Sequence, residues 1–86
     1  MAILNFKRKE TFSNWLYGFQ MRIENKAHPF CINTGRPYVR KDSMNGYELK
    51  TVVKLNTGRS GKGTTTVFSL NGKRIAKDDI AEAIGL

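Results

Sequence analysis

The apolar positions change their spacing along the chain. Between residues 11 and 26, Phe12, Trp15, Leu16, Phe19 and Ile23 recur at intervals of three and four. That spacing puts them on one face of an α-helix. Thr11 or Ser13 stands where a hydroxyl can accept from the free N–H groups of a first turn. Arg22 and Lys26 stand near the other end, where the helix dipole favours cations. Pro29 and its restriction on the preceding residue predict an end by about Lys26. Tyr17 falls off the stripe and is expected at the surface. Residues 2–8 (AILNFKR) read as a short strand or an ordered arm.

After Pro29 the pattern reads as β. "PFCINTGRPYVR" has two short apolar stretches around a turn, and Cys31 reads as a buried strand residue. Asn45-Gly46 is a strong hairpin signal. Beyond it, Tyr47, Leu49, Thr51, Val53 and Leu55 take one face of a strand, while Glu48, Lys50, Val52 and Lys54 take the other. "TTTVFSL" alternates too, with Thr66, Phe68 and Leu70 in phase, and Asn71-Gly72 makes a second tight turn. "AKDDIAEAIGL" predicts a short helix capped by Asp78 or Asp79, with Ile80, Ala83 and Ile84 facing inward. The expected fold is α+β in a single domain over residues 1–86. It has one small antiparallel sheet of three to four strands, packed by an N-terminal amphipathic helix and a short C-terminal helix.

"NTGRSGKGTTTVFSL" holds a glycine-rich stretch with Arg59 and Lys62, which raises the question of a nucleotide-binding loop. That template needs Gly-Lys-Ser/Thr and then a helix whose N-terminus faces the phosphate. Here Gly63 follows Lys62, and a β-branched run follows the glycines. The stretch instead joins two alternating strands, so a hairpin tip is expected, with Arg59 and Lys62 placed to meet phosphate.

Charge narrows the function. Fifteen Lys and Arg stand against seven Asp and Glu, giving +8. Three of the acids lie in the last nine residues, so residues 1–77 carry fifteen bases, four acids and +11. A field of this kind attracts polyanions, nucleic acid first. The lone cysteine, Cys31, excludes an internal disulfide and fits a reducing compartment. No apolar run suggests a signal peptide or a membrane span, so a cytoplasmic protein is expected.

His28 and Cys31 lie three apart but lack the further ligands of a metal site and the orienting group of a catalytic pair. No catalytic residue, metal or cofactor is expected, and the protein is read as not an enzyme. The bases group differently. Arg36, Arg40 and Lys41 flank the mid-chain turns, Lys50 and Lys54 share one strand face, Arg59 and Lys62 sit at the predicted tip, and Lys73 and Arg74 precede the last helix. Together they suit a sugar–phosphate backbone, with Tyr38 and Tyr47 as exposed rings for base stacking.

Two resemblances bear on this. The element order over residues 11–86 resembles the double-stranded RNA-binding domain, through "RPYVRKDSMNGYELKTVVKLN", "TTTVFSLNGK" and "IAKDDIAEAIGL". The Lys-Lys-x-Ala-Lys clamp of that family meets Lys73-Arg74-Ile75-Ala76-Lys77 here. The resemblance therefore implies phosphate contact by Lys73, Arg74 and Lys77, although two acids follow at once and Pro37 adjoins Tyr38 directly. The size, the charge and "FSNWLYGFQMRIENKAHPF" also look like a small early protein of T-even-like phages. That group includes a toxin-inhibiting factor that binds RNA and a bacterial endoribonuclease toxin.

The expected function is non-enzymatic, sequence-tolerant RNA binding through a basic surface, in a phage-type regulator or an inhibitor of a host ribonuclease toxin. DNA is the alternative ligand, and an oligomer is compatible with the sequence. The runner-up readings are a protein-binding inhibitor without nucleic acid and a small nuclease.

Overall fold

The computed structural model describes residues 3–56 and 63–86. A two-residue strand β1 (Ile3–Leu4) leads into helix α1 (Lys9–Thr34). Strands β2 (Tyr38–Met44), β3 (Tyr47–Leu55), β4 (Thr64–Leu70) and β5 (Lys73–Ile75) follow, then a 3₁₀ turn (Lys77–Asp79) and the short helix α2 (Ile80–Ala83). The sheet order is β1-β2-β3-β4-β5. β2 to β5 form an antiparallel meander, and β1 adds a parallel pairing at Ser43 and Met44. The α+β expectation holds, and of the predicted stretch the described residues 3–8 supply both a strand and an arm.

Helix α1 is longer than its sequence predicts. The stripe Phe12, Leu16, Phe19 and Ile23 continues through Ala27 to Cys31, and all six are buried. Pro29 lies inside the helix and does not end it. Proline removes one backbone donor and crowds the carbonyl four residues back. Pro29 and Asn25 are both exposed residues, on the solvent side of the helix. Packing beyond the proline holds the last turns. Cys31 is buried and its thiol donates to the Val53 carbonyl at 3.5 Å, so it is a helix residue and not the strand residue expected. Phe30 meets Tyr38 edge-on at 5.4 Å. The stop is Gly35, whose φ of 67° suits glycine and whose N–H donates to the Cys31 carbonyl at 2.9 Å.

The start differs as well. Arg8 is the N-cap, and neither Thr11 nor Ser13 serves. Phe6 packs on Phe12 at 5.1 Å and on Trp15 at 5.2 Å, an apolar clasp that fixes the entry of the chain in place of a hydroxyl cap. At the other end of the sequence neither Asp78 nor Asp79 makes a capping bond. The 3₁₀ turn shifts the phase of α2, so Ala81 is buried beside Ile80 and Ile84, and Ala83 is exposed.

Both Asn-Gly pairs form the tight turns expected. Asn45 and Gly46 have φ of 50° and 81°, and Asn71 and Gly72 have 49° and 86°. Positive φ at both central positions is the twist-matched hairpin turn. Each asparagine also clasps a neighbour. The Asn45 side chain accepts from the Phe6 N–H at 2.7 Å and donates to the Phe6 carbonyl at 3.0 Å. The Asn71 carboxamide accepts from the Glu48 N–H at 2.9 Å, and the Asn71 N–H donates to the Glu48 carbonyl at 2.9 Å.

Pro29→Ala restores a donor inside a helix whose later turns are already fixed by packing. A mid-helix proline costs about 3 kcal/mol, and its restraint on the unfolded chain returns about 1. The expected outcome is a gain of roughly 1–2 kcal/mol, read as a higher melting temperature. A lower melting temperature would show that the proline sets the geometry of the turn that seats Cys31.

Candidate nucleic-acid interface

The helices pack on one face of the sheet. α1 lies over β2, β3 and β4 and meets α2 on the same side. Residues paired directly across an antiparallel sheet share a face, so the pairing assigns every side chain. Leu49 faces Asp42 and Leu70, Thr51 faces Arg40 and Phe68, and Val53 faces Tyr38 and Thr66; these point towards the helices. The other face carries Val39, Lys41 and Ser43 from β2, and Glu48, Lys50, Val52 and Lys54 from β3. It continues with Thr65, Val67 and Ser69 from β4 and Arg74 from β5. No element among the described residues covers it.

This open face is basic in an ordered way. Lys41, Lys50, Ser69 and Arg74 form one row across β2 to β5. Three inter-strand steps make that row about 14 Å long, and Lys54 lies about 13 Å along β3 from Lys50. Among the described residues, four bases thus share the face with one acid, Glu48. Lys41 stands directly opposite Lys50. Like charges in that relation destabilise a sheet, and the one ion pair among the described residues, Arg40–Asp42, lies elsewhere. Between the basic positions runs a row of Val39, Val52 and Val67, of which Val39 is 50% exposed.

The remaining predicted residues fall in several places. Arg36 is exposed in the link after α1 and borders, with Lys54, a concavity of about 240 Å³ at one end of the sheet. Lys73 is exposed but pairs with Leu70, on the helix-bearing side. Arg59 and Lys62, with the predicted tip, lie outside the described residues. Arg40 has an internal role. Its Nε donates to the buried Asp42 carboxylate at 3.2 Å, and its guanidinium lies 5.4 Å from the centroid of the Phe19 ring. The sequence suggests exposed rings at Tyr38 and Tyr47. Both are half-buried on the helix-bearing side and pack against the core, because they alternate in phase with Val53 and Leu49. The open face therefore presents no aromatic ring among the described residues.

His28 is exposed on α1 whereas Cys31 is buried, so the two do not share a surface. The described residues contain no group of three or more His, Cys, Asp or Glu placed to hold a metal. No helix among them is long and apolar enough to cross a membrane. No family model, no curated protein and no solved structure matches the chain.

Ser69, Val39 and Val67 join the predicted residues on this face, and part of the arrangement is legible in the sequence. A two-residue turn at Asn45-Gly46 fixes Met44 opposite Tyr47, and hence Lys41 opposite Lys50 and Val39 opposite Val52.

Arg40→Ala would leave the Asp42 carboxylate buried without its ion-pair partner. Arg40 keeps 39% of its side chain in solvent, so screening trims the loss. The expected cost is about 1–3 kcal/mol in chemical denaturation. Unchanged stability would return Arg40 to the binding candidates.

Proposed function

We propose that this protein binds RNA through phosphate contacts on the open face of its sheet, without catalysis and with little sequence preference. The observation that carries this is the row Lys41–Lys50–Ser69–Arg74, in which two lysines face each other across adjacent strands with no paired acid. A fold gains nothing internally from such a pair. A bound polyanion neutralises it. Phosphate contacts position a protein without reading bases, and a face without rings or paired amides has little to read bases with. RNA is favoured over DNA by the resemblances set out above.

A second reading has one observation in its favour. The Val39, Val52 and Val67 row gives the open face an apolar centre inside a charged rim, the anatomy of a protein–protein contact. On that reading the face covers the acidic or RNA-binding surface of a target such as a ribonuclease toxin.

Salt titration and one double variant test the proposal. About four to seven phosphate contacts give a log–log slope of affinity against salt of roughly −3 to −6. Lys41→Thr with Lys50→Thr should make that slope shallower by about 1.5–2 and weaken binding at least tenfold at low salt. Stability should hold or rise by up to about 0.5 kcal/mol, since a repulsive pair is replaced by strand-forming residues. A slope near zero, or wild-type affinity in the double variant, would sink the open face as an RNA site.

A further inference from the structure

On the helix-bearing side, a cleft of about 410 Å³ lies between the first half of α1 and the 3₁₀ turn. Its volume falls in the range of small-ligand sites, about 300–1,000 Å³. Lys9, Ser13, Tyr17, Lys77 and Asp78 border it above an apolar floor from the core. Tyr17 is 64% exposed, the most exposed large apolar side chain among the described residues. The Lys77 ammonium lies 5.8 Å from the centre of its ring. Lys77 also borders an adjoining cleft of about 310 Å³ that reaches Gln20. The Gln20 Oε1 is buried and has no hydrogen-bond partner among the described residues.

We infer that this cleft receives an unpaired nucleotide of the bound RNA, with its base stacked on Tyr17. The inference rests on the RNA reading above and adds a site that the open face does not provide. Stacking needs an accessible ring. Phe30, the other exposed aromatic, already stands edge-on to Tyr38. An aromatic platform contributes to single-strand binding whatever the base, because every base has a π-face. Lys9 and Lys77 supply two cations for the flanking phosphate, and Lys77 only has to leave the Tyr17 ring as a base takes its place. Asp78 at the rim is an acceptor for a ribose hydroxyl or an exocyclic amine, a group that suits a nucleotide better than a bare phosphate chain. Gln20 Oε1 is a second acceptor in want of a donor.

The test uses Tyr17→Ala, Tyr17→Phe and Lys77→Ala, each titrated with hexa-adenylate RNA and with a blunt RNA duplex. Loss of the stack should weaken hexa-adenylate binding in Tyr17→Ala by about 5- to 100-fold. Tyr17→Phe should bind like wild type, and duplex affinity and melting temperature should not move in either. Lys77→Ala should make the hexa-adenylate salt slope shallower by about 1. Equal hexa-adenylate affinity in wild type and Tyr17→Ala would overturn the inference, while retained duplex binding would keep the open-face reading. An equal loss for both RNAs in Tyr17→Ala would also overturn it, because the ring would then not select an unpaired base. Wild-type protein that binds neither RNA would overturn both.

Discussion

The register of β3 is the constraint on which core and candidate interface both depend. This central strand puts Leu49, Thr51 and Val53 under α1 with no exposure at all, and it puts Lys50, Val52 and Lys54 on the opposite face. A slip of one residue would exchange the two sets. It would drive two ammonium groups into the core beneath α1, at a cost far beyond the stability of a small domain. Two asparagines guard against the slip. Asn45 closes the turn between β2 and β3, and Asn71 reaches back to hold both backbone groups of Glu48. The residue that bonds to Asn71 is thus two places from Lys50, so the turn chemistry that secures the core also positions the basic row.

One-sided packing follows from that alternation. An antiparallel sheet can leave a face to water when every second side chain is polar. The apolar work then falls on one layer, and in a chain of 86 residues that layer has to be long. A helix of 26 residues spans about 39 Å, the full length of the molecule. Its last turns cover the end of the sheet where Cys31 meets Val53. Ending α1 before Pro29 would strip cover from that end, so tertiary burial outweighs the local cost of the proline. Glu24 adds a polar tie close by, accepting at 2.6 Å from the hydroxyl of Thr66, the cross-strand partner of Val53.

What the sequence makes legible divides along the same line. The helix stripe, both Asn-Gly turns and the two phases of β3 can be read directly, because each depends on neighbours in the chain. The end of α1, the phase of α2 and the fate of the aromatic residues cannot. Pro29 signals a stop in any local reading, and tertiary packing reverses it, with Cys31 set on a strand more than twenty positions away and Phe30 against Tyr38. Asp78 and Asp79 look like caps, but the 3₁₀ turn after Ala76 takes the first turn of the helix from them. Tyr38 and Tyr47 could be assigned from the phase of their strands, since each shares a face with Val53 or Leu49. Of the nine predicted basic residues, Lys41, Lys50, Lys54 and Arg74 share the open face. The first three follow from the Asn45-Gly46 turn and the phase of β3, whereas the place of Arg74 depends on the β3–β4 pairing, which no two-residue turn dictates.

Adjacent residues of β2 show how the fold sorts its charges. Arg40 points towards α1, where Asp42 and the Phe19 ring take up its guanidinium. Lys41 points away and meets another lysine. The first charge is satisfied inside the protein, and the second is left to whatever lies outside. The repulsion between Lys41 and Lys50 is part of the native state, and the extended, better-hydrated unfolded chain relaxes it. A polyanion on the open face removes that term, so its binding and the stability of the fold are thermodynamically linked. The coupling is strongest where the repulsion is least screened, at low ionic strength. Salt therefore acts on this molecule in two opposed ways, weakening the attraction to a polyanion and relieving the strain that the polyanion would otherwise relieve.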